Sequence, residues 1–75
     1  MTTVDSIQTG KNIKTIIRQK GMKIADIQSA FGFNTPQAIY KWFRGDSMPT
    51  IDNIVMMTEI FGVRMDEIVA VKKTA

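Results

Sequence analysis

Cysteine and histidine are both absent from the 75 residues. Their absence rules out a disulfide framework, a thiol nucleophile and a Cys/His zinc site, and it removes the commonest general base. No apolar run approaches the ~20 residues needed to span a bilayer, and Met1-Thr2-Thr3-Val4-Asp5 has no basic segment followed by an apolar one. A soluble, intracellular chain is expected. Asp46, Asp52, Asp66 and Glu67 are spread as caps and along solvated faces, with no paired partner and no glycine loop to cradle a phosphate. An enzyme is therefore the least favoured class. No stretch alternates apolar and polar residues for long enough to argue a strand, so the chain reads as all-α. At 44% hydrophobic content it suffices for one domain with a single core, spanning 1–75 with the core from about 7 to 71 and loose termini. A net charge of +3 and a pI near 9.5 lean toward a polyanionic partner.

The most informative stretch is Asn34 to Gly45, N-T-P-Q-A-I-Y-K-W-F-R-G. Thr35 suits an N-cap because its hydroxyl oxygen accepts from a first-turn N–H, and Pro36 suits the first helical position, where a missing N–H costs nothing. Ala38, Ile39, Trp42 and Phe43 fall at the spacing of a buried stripe. Gln37, Tyr40, Lys41 and Arg44 lie on the other face, and Gly45 stops the helix. That outer face holds an amide able to read adenine, two cations for phosphate or guanine, and a phenol that bonds phosphate or stacks. Taken alone, such a helix is better read as amphipathic with a solvated polar face. Its neighbours reverse that balance. A second short helix precedes it across a glycine-bearing turn, which is the arrangement that sets a helix in the major groove.

In chain order, Ile13, Ile16, Ile17 and Lys20 follow helical spacing, giving a first helix from Ile7 or Thr9 to Lys20, with Lys11, Asn12, Lys14, Thr15 and Arg18 outward. Gly10 weakens its first turns. Ile24, Ile27, Ala30 and Phe31 define a second helix over Lys23 to Phe31, and Lys23 stands at its start, where a phosphate would meet free N–H groups and an ammonium. In the turn Gly32-Phe33-Asn34, Phe33 reads as a core plug. Thr50 caps a fourth helix, Ile51 to about Phe61, with Ile51, Ile54, Val55 and Thr58 facing inward. Met65, Ile68 and Val69 mark a fifth helix, Met65 to Val71, and the tail Lys72-Lys73-Thr74-Ala75 reads as loose, as do the residues before Ser6.

This order of features resembles the phage-repressor and Cro-like helix-turn-helix domains of bacteria and their phages, over roughly Lys11 to Val69. The most specific part is T-P-Q-A-I-Y-K-W-F-R-G, followed by Pro49, Thr50-Ile51-Asp52-Asn53, Phe61-Gly62-Val63 and Asp66-Glu67-Ile68. The resemblance implies a compact five-helix bundle, lambda-repressor-like, that binds operator DNA without a cofactor. It puts Thr35, Pro36, Gln37, Tyr40 and Lys41 in the major groove, with Arg44 beside them, a phosphate on Lys23 and Ile24, and further backbone contacts at Thr50 and Asn53. It also implies a cytoplasmic protein, bacterial or phage-encoded, associated with the nucleoid when bound. Three departures stand out. Gln28 occupies a position where the family has a small residue, and the turn runs one residue longer. Ile17 and Phe43 stand where the family often has an Arg and a Glu, so an ion pair is exchanged for an apolar contact.

Trp42-Phe43-Arg44 is similar to part of a homeodomain recognition helix, but those continue as a basic helix and here Gly45 ends the element. A reading of another class is a protein-interaction module, an antitoxin or regulatory subunit, favoured by Met56, Met57 and Ile60 lying partly off the inward stripe. The same apolar surface, Met56 and Ile60 above all, suits a homodimer through the fourth and fifth helices. The expectation taken forward is sequence-specific binding of double-stranded DNA by a repressor-like transcription regulator, with Pro36 to Arg44 as the recognition helix.

Overall fold

A computed structural model describes residues 1–74. The elements run β1 (Thr2–Val4), α1 (Ser6–Gln19), α2 (Ile24–Phe31), α3 (Gln37–Arg44), α4 (Ile51–Phe61), α5 (Met65–Ile68) and β2 (Val71–Lys73). Apart from α3, the helices begin where side chains satisfy free N–H groups. Asp5 accepts from the Gln8 N–H at 3.0 Å, which starts α1 at Ser6, ahead of the Ile7 or Thr9 start expected from apolar spacing. Thr50 accepts from the Asn53 N–H at 3.2 Å and starts α4. Glu67 reaches back to the Arg64 N–H at 2.6 Å and starts α5.

One core joins all five helices. Ile13, Ile16 and Ile17 of α1 meet Ile27 of α2, Ile39 and Trp42 of α3, Met57 and Phe61 of α4, and Ile68 of α5. At about 1.5–3 kcal/mol for each fully buried aliphatic side chain, this cluster is the main favourable term for so short a chain. Thr9 is its buried polar member, and its hydroxyl accepts from the Ala70 N–H at 3.0 Å. Nearby, the Asn12 amide donates to the Ile68 carbonyl at 3.0 Å. Both bonds tie α1 to the segment that leaves α5.

The fold is mostly helical as expected, with differences of physical interest. The segments read as loose pair with each other: β1 and β2 form an antiparallel two-stranded sheet, Thr2 opposite Lys73 and Val4 opposite Val71. The Asp5 N–H donates to the Ala70 carbonyl at 2.8 Å, and the Thr74 N–H to the Met1 carbonyl at 2.8 Å. Ala75, part of the tail read as loose, lies outside the described residues. Because Val69 turns extended to enter this sheet, α5 ends at Ile68 and not at Val71. In α4 the inward face is Ile54, Met57 and Phe61. Ile51 and Val55, expected inside, are 68% and 42% exposed, while Met57, expected partly outside, is fully buried. Ile60 is half-buried against the core, and Ala30 of α2 faces outward.

Candidate nucleic-acid interface

The position of α3 is set from two sides. Across the turn of residues 32–36, Phe31 and Phe33 stack at 5.6 Å, and each meets Trp42 edge-on at 5.7 Å, so three rings bind the end of α2 and the turn to α3. Gln28, in place of a small residue, donates its side-chain amide to the Phe33 carbonyl at 3.1 Å and spans the longer turn. On the other side α3 lies directly against α1. A Cβ on Gly10 would fall 1.9 Å from the Trp42 carbonyl oxygen, so only glycine admits this approach. Gly45 has φ +77° and presents its backbone to Ile7, where a Cβ would come within 2.8 Å of the Ile7 Cα. α3 is therefore wedged between α1 and the aromatic turn, and one face is left outward.

That face carries Gln37, Tyr40, Lys41 and Arg44, all exposed and together lining a shallow cleft of about 330 Å³. The Thr35 hydroxyl accepts from the Gln37 N–H at 3.4 Å, but Thr35 is not the cap expected of it: regular helix starts at Gln37, one residue later than expected, with Pro36 in the cap position and no side chain capping it. Pro36 is half-buried, and Thr35 is exposed beside it. Arg44 is held by Asp46, Nε to Oδ2 at 2.7 Å, with both side chains more than half exposed. A pair so exposed contributes little to stability and yields readily to a stronger anion.

The other sequence-derived candidates sit apart from this cleft. Lys23 is exposed at the start of α2, but Asp26 accepts from its backbone N–H at 3.4 Å, so an anion arriving there meets a resident carboxylate. Ile24 is half-buried and lines a different groove, shared with Tyr40 and Arg44. The Thr50 oxygen is engaged as the cap of α4, and Asn53 is half-buried in the same first turn. Sequence reasoning left two cations out of the site: Lys14 and Arg18 of α1 line the groove beside Tyr40 and Arg44. The signal was present, since Lys11, Lys14 and Arg18 recur at three and four residues.

Among the described residues no group of three or more acidic, His or Cys side chains is placed to hold a metal, and no helix is long and apolar enough to cross a membrane. A family model described as helix-turn-helix matches residues 13–68. No curated protein and no solved structure matches the chain.

Proposed function

Because the chain belongs to the helix-turn-helix family of the phage-repressor and Cro type, a family of DNA-binding transcription regulators, we propose that it binds specific sites on double-stranded DNA with α3 in the major groove. The observation that carries this reading is the outward face of α3, where an amide, a phenol and two cations gather on a helix held rigidly behind by Gly10 and three aromatic rings. Gln37, in the first turn, reads a base edge, its amide matching the acceptor and donor of adenine. Lys41 and Arg44 hold phosphates, and Arg44 exchanges Asp46 for the strand. Tyr40 bonds a phosphate or packs on the sugar edge. Thr35 and Pro36 enter the groove with the start of α3, and Lys23, Ile24, Thr50 and Asn53 supply backbone contacts that fix register. The mode is repressor-like: a bound domain excludes other proteins from the DNA it covers.

Binding as a pair of chains belongs to the same proposal, since one domain of this size covers few base pairs. The apolar face offered for it differs from the one expected. Met56 keeps its place at 37% exposure, Ile51 and Val55 join it at helical spacing, and Met57 and Ile60 are drawn into or against the core. Met65 of α5 is also exposed. Selection of bound sites from a random duplex library, followed by anisotropy titrations of the selected and a scrambled duplex across salt concentrations, tests the proposal. A specificity ratio of about 10³ or more at physiological salt is the expected result. Equal affinity for both duplexes would reduce the protein to a non-specific polycation, and no affinity for either would favour a protein partner.

A further inference from the structure

Between α1 and α3 lies an open groove of about 480 Å³, within the ~300–1,000 Å³ range of small-molecule sites. Its floor is apolar: Ile17, Met22, Ile24 and Phe43. Its rim is cationic, with Lys14 and Arg18 on one side and Arg44 on the other, and no carboxylate is among its lining residues. The Lys14 ammonium stands 5.9 Å from the centre of the Phe43 ring, and Tyr40 meets that ring edge-on at 6.0 Å. Asp46 engages Arg44 through Nε, so the bond leaves the two terminal nitrogens of the guanidinium to a ligand.

We propose that this groove binds a small aromatic carboxylate, with its ring laid on Phe43 and its carboxylate between the rim cations. Two features of the groove select that chemistry. Apolar area facing water is unfavourable, and a flat aromatic body removes it. Lys14 and Arg18 stand together on one rim with no carboxylate among the lining residues, and a carboxylate offers two oxygens to them and to the guanidinium nitrogens that Arg44 does not spend on Asp46. A bare phosphate, of DNA or in solution, would satisfy the rim and leave the floor wet. A neutral ring would satisfy the floor and leave the rim unpaired. Ile17 and Phe43, apolar where the resembled family often has an Arg and a Glu, both belong to this floor.

The occupant also reports to α3. Tyr40 and Arg44 line both this groove and the cleft on the outward face of α3. An acid in the groove draws Arg44 inward and away from a DNA phosphate, so acid and duplex weaken each other's binding by the same factor. This coupling rests on the DNA-binding reading; the groove site itself does not.

The test is an NMR titration of the full chain with 2-naphthoate in the absence of DNA, with 2-naphthalenemethanol and acetate as comparison ligands. Saturable shifts concentrated at Lys14, Arg18, Tyr40, Phe43 and Arg44 are expected. The alcohol should bind about ten-fold more weakly, the effect of losing one charge-assisted hydrogen bond, and acetate should not saturate. Lys14→Gln with Arg18→Gln, two exposed positions that leave the core untouched, should weaken naphthoate by about ten-fold and the alcohol hardly at all. Equal affinity for acid and alcohol, shifts scattered over the surface, or an unchanged double variant would each overturn the site. Anisotropy with the preferred duplex then reads the coupling. Naphthoate bound in the groove with duplex affinity unchanged would overturn the coupling alone, and a chain that binds no duplex would sink the DNA reading while the titration still decides the groove.

Discussion

Gly10→Ala adds one methyl group in the middle of the contact between α1 and α3. That methyl carbon would lie 1.9 Å from the Trp42 carbonyl oxygen and 3.0 Å from that of Phe43. An ordinary carbon–oxygen approach is about 3.3 Å, so the first contact is about 1.4 Å too short. Both obstacles are backbone atoms of α3 and cannot rotate aside. The helices must part, and a gap of about 0.5–1 Å already forfeits a quarter to a half of each dispersion contact along the seam. Overpacking of this kind costs about 1–3 kcal/mol, and the upper end applies where backbone blocks backbone. Against it stands the helix preference of Ala over Gly, about 1 kcal/mol. The net loss should be about 2 kcal/mol, a large share of the ~5 kcal/mol that a small domain commands. Urea denaturation measures it through the midpoint at constant slope. A variant as stable as the parent, or stabilised by the ~1 kcal/mol of helix propensity, would refute the close approach of α1 to α3.

Three further outcomes follow from other contacts. Thr9→Val should cost about 1–3 kcal/mol by stranding the Ala70 N–H, with faster amide exchange at Ala70, whereas Thr9→Ser should keep the bond; equal behaviour of the two variants would show that the hydroxyl is not the cause. Ile17→Arg places a cation at a buried position and should cost about 3 kcal/mol, while Phe43→Glu, half-exposed beside Lys14, should cost less, and the double variant should show coupling well above ~0.5 kcal/mol; additive losses in urea would mean that the two side chains are not partners. Val55→Glu on the exposed face of α4 should leave the fold intact but abolish paired binding to half-sites about 34 Å apart, and an unchanged two-chain complex in sedimentation would remove that face from the interface.

The helices of the central motif were legible to within a residue because local chemistry specifies them: Pro36 at the start of α3, Gly45 after Arg44, and an apolar stripe that leaves four polar side chains outward. The inward face of α4 was not, because Ile51, Ile54, Val55, Met56, Met57, Ile60 and Phe61 leave an 11-residue helix apolar on most sides. Two stripes fit such a pattern equally, and packing on the shared core selects the one with Met57 and Phe61, on which Ile54 is also buried. The terminal strands escaped notice because three-residue strands carry no periodicity, and their bonds join residues about seventy positions apart. Gly10 was legible only as a weakness in a helix. Its role as a spacer lies in the partner, Trp42, and not in its own neighbourhood. In the candidate site, Gln37, Tyr40, Lys41 and Arg44 came together as the periodicity of α3 implied, whereas Lys14 and Arg18 join them only through the packing of α1 on α3.

Whether the outward face of α3 reads DNA is measured most directly by comparing Gln37→Ala with Lys41→Ala on the preferred duplex, its single-base variants and a scrambled duplex. Gln37→Ala should lose about 1–3 kcal/mol on the preferred site alone and relax preference at one base pair. Lys41→Ala should weaken all duplexes alike and flatten the salt dependence by about one unit of slope. Equal losses on preferred and scrambled DNA for Gln37→Ala, or no loss for either variant, would contradict the account.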